Sequence, residues 1–182
     1  MHVEPKPIEK YPWYIRLFFW NQKRRYGKVL VPGLIWARIP SLFAPLSVLY
    51  GGIDRKSSAI EPQRRSLLTV RVSQINWCEF CVDMNSATLM KRGCSLEKVE
   101  QLPIWRESPL FDKRERVALE YTEAMTCSDQ KVSGELMNQV KNHFSDDSLV
   151  ELTALIAYQN MSSKFNSALA IPPQGFCTKP SD

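Results

Sequence analysis

The feature that most restricts the fold is a missing pattern. Nowhere in the 182 residues do apolar and polar side chains alternate between hairpin turns, as a half-buried strand requires. The chain is punctuated instead by helix starts and stops. Pro12 opens an aromatic amphipathic segment containing Trp13, Leu17, Phe18 and Trp20 to Tyr26. Short helices are expected around 29–38 and 41–50, the second closed by Gly51-Gly52. Glu61, with Pro62 in the first turn, opens a helix that sets Leu68, Val72 and Ile75 on one face. The next helix carries two cysteines and stops at Gly93, and a short one follows Ser95 before Pro103. Asp112 and Glu115 form a capping-box pattern ahead of RERVALEYTEAMTC, whose core face is Val117, Tyr121, Ala124 and Met125. Ser133 caps GELMNQVKNHF. Ser145 caps a long last helix that ends at Pro172-Pro173, and its middle, Val150 to Ala157, is apolar nearly all round, which predicts burial on several sides. The expected fold is all-α. The polar connector Asp54 to Ile60 (DRKSSAI) divides an N-terminal helical segment, 1–60, from a helical core, 61–182, with the two packed as one compact domain.

Composition fits that reading. An apolar content of 44% supports one genuine core. Charged residues at 24% and only 7 glycines exclude a low-complexity or disordered chain. The start, MHVEPKPIEK, lacks the charged and apolar regions of a secretory signal, so a cytoplasmic, reducing setting is expected. The five cysteines are then free, redox-active or metal-binding rather than a disulfide framework. Cys94, Cys127 and Cys177 stand alone and read as buried or incidental thiols. The net charge is +5, and the cluster Lys23, Arg24, Arg25 and Lys28 reads as a solvated helix end. No zinc finger, RNP-type sequence or helix-turn-helix pattern accompanies it, so no nucleic-acid partner is expected. The apolar run Val29 to Tyr50 is interrupted by Arg38, Pro32, Pro40 and Pro45. Two short buried helices separated at Pro40 fit it better than a membrane span.

The chemistry concentrates at Cys78-Glu79-Phe80-Cys81. On a helix, residues three apart share a face, and their Cα separation of about 5–6 Å lies inside the disulfide window. Cys78 sits at the helix start and Cys81 one turn in. Unpaired N–H groups and the helix dipole there favour a thiolate. A thiolate beside a second thiol can attack a disulfide or a peroxide and be resolved by its partner. A zinc site is disfavoured, because a structural one needs about four ligands and the chain adds only scattered cysteines, His2 and His143. By spacing alone, a redox pair and two buried small side chains remain equal readings.

The context separates them. The run RRSLLTVRVSQINWCEFCVDMNSATLMKRG resembles the core of the AhpD-like alkylhydroperoxidase, or carboxymuconolactone decarboxylase, family. The likeness spans the helix before the pair, the C-x-x-C, Asp83-Met84 and Gly93, then the Phe111-to-Tyr121 helix and HFSDDSLVELTALIAYQN. The aromatic segment YPWYIRLFFWNQKRRYG is similar to that of longer members. The resemblance implies an all-helical AhpD-like bundle with an aromatic N-terminal extension. It also implies a homo-oligomer, no bound cofactor, and thiol-based peroxidase or disulfide chemistry. The family's peroxidase motif is Glu, eleven residues, Cys-x-x-Cys, three residues, His. Laid on this chain, its cysteines fall on Cys78 and Cys81, its glutamate on Ser66 and its histidine on Asn85. By the family's logic Cys81 attacks and Cys78 resolves. Asn85 can donate a hydrogen bond to a thiolate but cannot relay a proton near neutral pH, and Ser66 is no acid or base. Acid–base assistance is typically worth about 10²–10⁴-fold. The carboxylates Glu79 and Asp83 read as a surface face, and their charge would raise nearby thiols rather than lower them. His143 reads as a capping or surface residue. A cysteine-independent lactone decarboxylase would leave the pair unexplained.

The expected function is a thiol–disulfide oxidoreductase that reduces hydroperoxides or partner disulfides with electrons from an unidentified thiol reductant protein. The alternative is a non-catalytic or redox-sensing helical oligomer on the same scaffold. Trp13, Phe18, Phe19 and Trp20 are expected as core or interface anchors.

Overall fold

The computed structural model describes residues 1–177, and every regular element among them is helical. A single 3₁₀ turn at Ile8–Lys10 precedes α1 (Trp13–Tyr26), α2 (Val31–Trp36) and α3 (Pro40–Ile53). There follow α4 (Pro62–Ile75), α5 (Glu79–Lys91) and α6 (Leu96–Glu100), a second 3₁₀ turn at Leu102–Ile104, α7 (Lys113–Thr126), α8 (Gly134–Lys141) and α9 (Asp146–Ala168). Among the described residues no helix is long and apolar enough to cross a membrane.

The caps set the boundaries. Glu115 N–H donates to Asp112 Oδ1 at 2.7 Å while Asp112 N–H donates to Glu115 Oε2 at 3.0 Å, a reciprocal capping box. Ser133 and Ser145 accept from Leu136 and Ser148 as N-caps, each such cap contributing about 1 kcal/mol. Gly93, at φ +93°, takes the left-handed position that closes α5, where glycine avoids the cost of a Cβ. Gly51-Gly52 does not close α3, which runs on to Ile53. Its end is set instead by Asp54, held bidentately by Arg92 Nη2 at 2.9 Å and by Arg65 at 3.1 Å.

α4 is the central helix. It packs against α5, α7 and α9, and Leu67, Leu68, Val70 and Val72 are buried in the main core. Each such side chain contributes about 1.5–3 kcal/mol on full burial. Two of its buried polar residues are hydrogen-bonded across the fold: Arg65 donates to the Ile60 carbonyl at 2.6 Å, and Ser66 accepts from Arg92 at 3.0 Å. Burial on several sides is the expectation for the middle of α9, Val150 to Ala157, but there Val150, Ala154 and Ala157 are exposed. The stripe that α9 buries is Leu152, Leu155, Ile156, Gln159, Ser163 and Asn166. Ile75 is only half-buried at the α4 end. On α7 the fully covered face is centred on Ala118, Leu119 and Thr122, with Val117 and Met125 half-buried beside it. α3 is not a buried helix either, since Phe43 is its one buried residue.

The N-terminal segment has a small core of its own, Tyr11, Ile15, Phe19, Ala37 and Phe43. It meets the rest through Trp36 stacked on Phe165 at 3.8 Å and Tyr50 against Tyr158 at 5.6 Å. Of the four aromatic anchors expected there, Phe19 is buried, Phe18 is partly exposed but packs edge-on against Phe19 and Phe43, and Trp13 and Trp20 face outward.

Candidate active site

The site begins where α4 ends. Trp77 N–H donates to Gln74 O and Cys78 N–H reaches back to Ser73 O at 3.0 Å, the paired bonds of a Schellman ending. That ending puts Trp77 in the left-handed conformation, φ +54°, with 86% of its surface exposed. α9 ends in the same way. Ala170 N–H donates to Ser167 O, Ile171 N–H donates to Asn166 O, and Ala170 stands at φ +51°. The residues that follow the two left-handed positions, Cys78 and Ile171, pack in one cluster with Ile35, Phe80 and Cys81. A left-handed non-glycine residue costs about 1–2 kcal/mol, offset here by bringing two helix ends onto the sulfur pair.

Cys78 is the N-cap of α5, and its sulfur accepts from Cys81 N–H at 3.2 Å. Cys78 and Cys81 are joined as a disulfide with Cα atoms 5.2 Å apart. Both are buried, at 1% and 4% exposure. Glu79 points to solvent, but Asp83 is no surface carboxylate. It accepts the backbone N–H groups of Gln174, Phe176 and Cys177 at 2.7–2.9 Å and so straps the C-terminal segment onto α5. Gln174 in turn donates to Val29 O and accepts from Val31 N–H, tying the strap to the start of α2.

Two adjoining cavities, about 370 and about 430 Å³, share Tyr50, Asp54, Met84, Asn85, Tyr158 and Gln159. The first reaches Arg65, Ser66 and Arg92. The second reaches Cys81 and Asn166, between aromatic walls that include Phe18, Trp36, Phe43 and Phe80. Cys81 lines this cavity and Cys78 does not. Burial pushes the Tyr158 phenol up to about 12, so it stays protonated at neutral pH.

Of the four residues singled out from sequence, Cys78 and Cys81 are joined and Asn85 lines the cavity that Cys81 faces, while Ser66 lines the other cavity. Asn85 lines both cavities, but its amide donates to Ser73 Oγ at 3.1 Å, with Thr69 O at 3.5 Å, and not to a sulfur. Ser66 is turned toward Arg92 and, through it, Asp54. The side chain that donates to Cys81 Sγ is Asn166, at 3.2 Å. Its own Oδ1 is buried with no hydrogen-bond partner among the described residues. Gln159 donates to the Ser73 hydroxyl at 3.1 Å, which shares that oxygen with Asn85. Sequence reasoning missed Asn166 and Gln159. The signal was present: Gln159, Ser163 and Asn166 recur at helical spacing on the buried face of α9.

Among the described residues, no imidazole stands near the pair to relay a proton. His2 and His143 are exposed, and the one carboxylate lining the cavities, Asp54, is paired to two guanidiniums. No group of three or more His, Cys, Asp or Glu residues is placed to hold a metal ion among the described residues. Burial pushes the remaining thiols up, aided at Cys127 by Asp129 and Glu123 and at Cys177 by Asp83.

Known proteins resemble this chain in sequence or in fold. YnjA of Escherichia coli K12, itself uncharacterised, is 43% identical over 174 residues, covering 96% of each chain. The solved structure of an alkylhydroperoxidase AhpD core, a peroxidase-related protein of Ralstonia eutropha JMP134, superposes with a TM-score of 0.86 over 95% of this chain and 92% of its own at 18% identity, a likeness of fold. The structure of ATU0492 of Agrobacterium tumefaciens, a protein of unknown function, is 27% identical with a TM-score of 0.70 over 74% of this chain and 92% of its own. The family model for carboxymuconolactone decarboxylases matches residues 40–124, from the first turn of α3 through the sulfur pair into α7. With the matched segment centred on the helices that carry Cys78 and Cys81, and a relative 43% identical over 96% of each chain, the chain belongs to the carboxymuconolactone decarboxylase family.

Proposed function

We propose that this protein is a thiol–disulfide oxidoreductase of the alkylhydroperoxidase type, cycling Cys78 and Cys81 between dithiol and disulfide. The observation that carries the reading is a joined pair of which one sulfur, Cys81, faces a cavity while the other stays behind it. Cys81 is then the attacking sulfur. It opens a hydroperoxide or a partner disulfide, Cys78 displaces the product, and a cellular thiol restores both. The helix start and the Asn166 amide favour the thiolate, and among the described residues no imidazole is placed to pass on its proton. Turnover is therefore expected below that of a relay-equipped site by up to about 10²–10⁴-fold. Peroxide consumption with dithiothreitol as reductant tests this: wild type turns over and Cys81→Ser does not. Equal rates in the two would remove the enzyme.

A second reading has its own support. The Ser66 slot is taken up by the Arg92–Asp54 network, and large apolar residues stand exposed on α1 and α3. A redox-sensing homo-oligomer without turnover would use both. Its signature is an assembly state that changes when the disulfide is reduced while no peroxide is consumed.

A further inference from the structure

We propose that the outward face of α1 docks on an anionic lipid bilayer, with Trp13, Leu17 and Trp20 entering the headgroup layer and Arg16, Lys23 and Arg24 meeting its negative charge. The proposal stands apart from the oxidoreductase reading, and three observations carry it. The first is a helix that is apolar on two sides and uses one. Its inner stripe is engaged: Ile15 and Phe19 pack with Tyr11, Ala37 and Phe43, and Gln22 on the same side accepts Leu30 N–H at 2.8 Å. α1 therefore cannot roll to cover its opposite side. There Trp13, Leu17, Trp20 and Arg24 follow one another at the i, i+4, i+7, i+11 spacing of a single helix face. The three apolar members are 74%, 57% and 56% exposed, a contiguous stripe of the kind that marks an interaction site.

The second observation is charge, and it selects the partner. Residues 10–53 hold seven Lys or Arg and no Asp or Glu, while residues 54–182 are balanced at 16 against 17. The excess positive charge of the chain thus lies in the part that carries the exposed indoles. Arg16 and Lys23 edge the apolar stripe, and the Arg24 guanidinium lies 4.9 Å over the Trp20 ring. Among the described residues no ion pair involves Arg16, Lys23, Arg24 or Arg25. A second copy docking through the same face would set cation against cation, whereas an anionic surface complements it. A phosphate backbone would meet the charge but has no apolar layer to receive Leu17. The third observation is length. The 14 residues of α1 run roughly 21 Å, short of the hydrocarbon thickness of a bilayer, so the helix lies in the plane of the interface. Indoles settle at headgroup level, and lysine and arginine stems lie along apolar surface with their charge among the phosphates. The cluster at the end of α1 that the sequence reads as a solvated helix end is then the charged part of this face.

The test floats the full chain with vesicles of phosphatidylcholine alone and of phosphatidylcholine with phosphatidylglycerol at about three to one. Binding to the mixed vesicles is expected to be at least about tenfold tighter and to weaken as salt rises. Two double variants, both confined to exposed side chains, separate the contributions. Trp13→Gln with Trp20→Gln should weaken binding to the mixed vesicles by about tenfold or more. Lys23→Gln with Arg24→Gln should weaken it by about tenfold or more and leave binding to neutral vesicles unchanged. Light scattering without vesicles should give the tryptophan variant the same mass as wild type. Equal binding of wild type to both kinds of vesicle would overturn the charge argument and the proposal with it. Absence of vesicle binding, with a lower mass in the tryptophan variant, would make the face a contact between copies and overturn the bilayer. Binding to a duplex oligonucleotide that exceeds vesicle binding and survives loss of both tryptophans would mark a phosphate-reading surface and overturn it as well.

Discussion

Asn166 was the residue least legible in the sequence. It lies 85 positions from Cys81 and reaches it only because the end of α9 is folded onto the start of α5. Cys78 and Cys81 were legible because their meeting is a matter of one helical turn, which local spacing dictates. Trp77 was not, since a large aromatic residue is a poor occupant of a left-handed position, and only the tertiary gain of burying Cys78 and Ile171 holds it there. Asn166 also yields a sharp prediction. In reduced protein carrying Cys78→Ser, the Asn166 amide favours the Cys81 thiolate, so Asn166→Leu should move the midpoint of iodoacetamide alkylation to higher pH and slow the reaction at neutral pH by about tenfold or more. Cys94, Cys127 and Cys177, whose thiols burial pushes up, supply only a slow background. A profile identical to that of the parent would mean that the amide merely packs against the sulfur. A loss of packing alone would not displace a titration midpoint.

Among the elements, helix starts were read well and burial less well. Capping residues act on their own first turn, so Asp112, Ser133 and Ser145 announce themselves. Which helix lies at the centre depends on all the others. α4, with two arginines and two serines among its buried residues, looks more polar than α9 and yet is the more enclosed. Its place is secured by buried charge pairing: Arg71 of α4 and Arg106 both reach Glu123 of α7 at 2.6 Å, with Trp105 Nε1 donating at 2.9 Å. Burial works to raise the Glu123 carboxyl, but the Trp105 and Arg106 hydrogen bonds and the Arg71 charge outweigh it and hold the group below its ordinary value. A carboxylate lowered on folding adds stability above its unfolded value, and that stability is lost as pH falls through the folded one. Glu123→Gln is therefore expected to cost about 1–3 kcal/mol at pH 7, with the gap to wild type closing as pH falls below the ordinary carboxylate range. Urea melts at pH 7 and at acid pH measure it, and a pH-independent gap would show that shape rather than charge secures the joint.

For the whole molecule the outward apolar residues are the main unspent feature. Trp13, Leu17 and Trp20 on α1 and Leu42, Val48 and Leu49 on α3 are large and at least half exposed. Extended apolar surface of this kind is normally covered by a partner, and a second copy of the chain is the partner proposed for its α3 part. Val48→Glu combined with Leu49→Lys should lower the mass seen by light scattering to that of one 21.0 kDa chain. A wild-type protein already of that mass would sink the oligomer. Finally, the strap that Asp83 holds has a bearing on time. Ile171 shields Cys78 and shares its segment with the amides tied to Asp83, so a bulky reductant must wait for that segment to lift. Regeneration would then keep pace with hydrogen exchange at Gln174, Phe176 and Cys177, and a single carboxylate would act as the clock of the cycle.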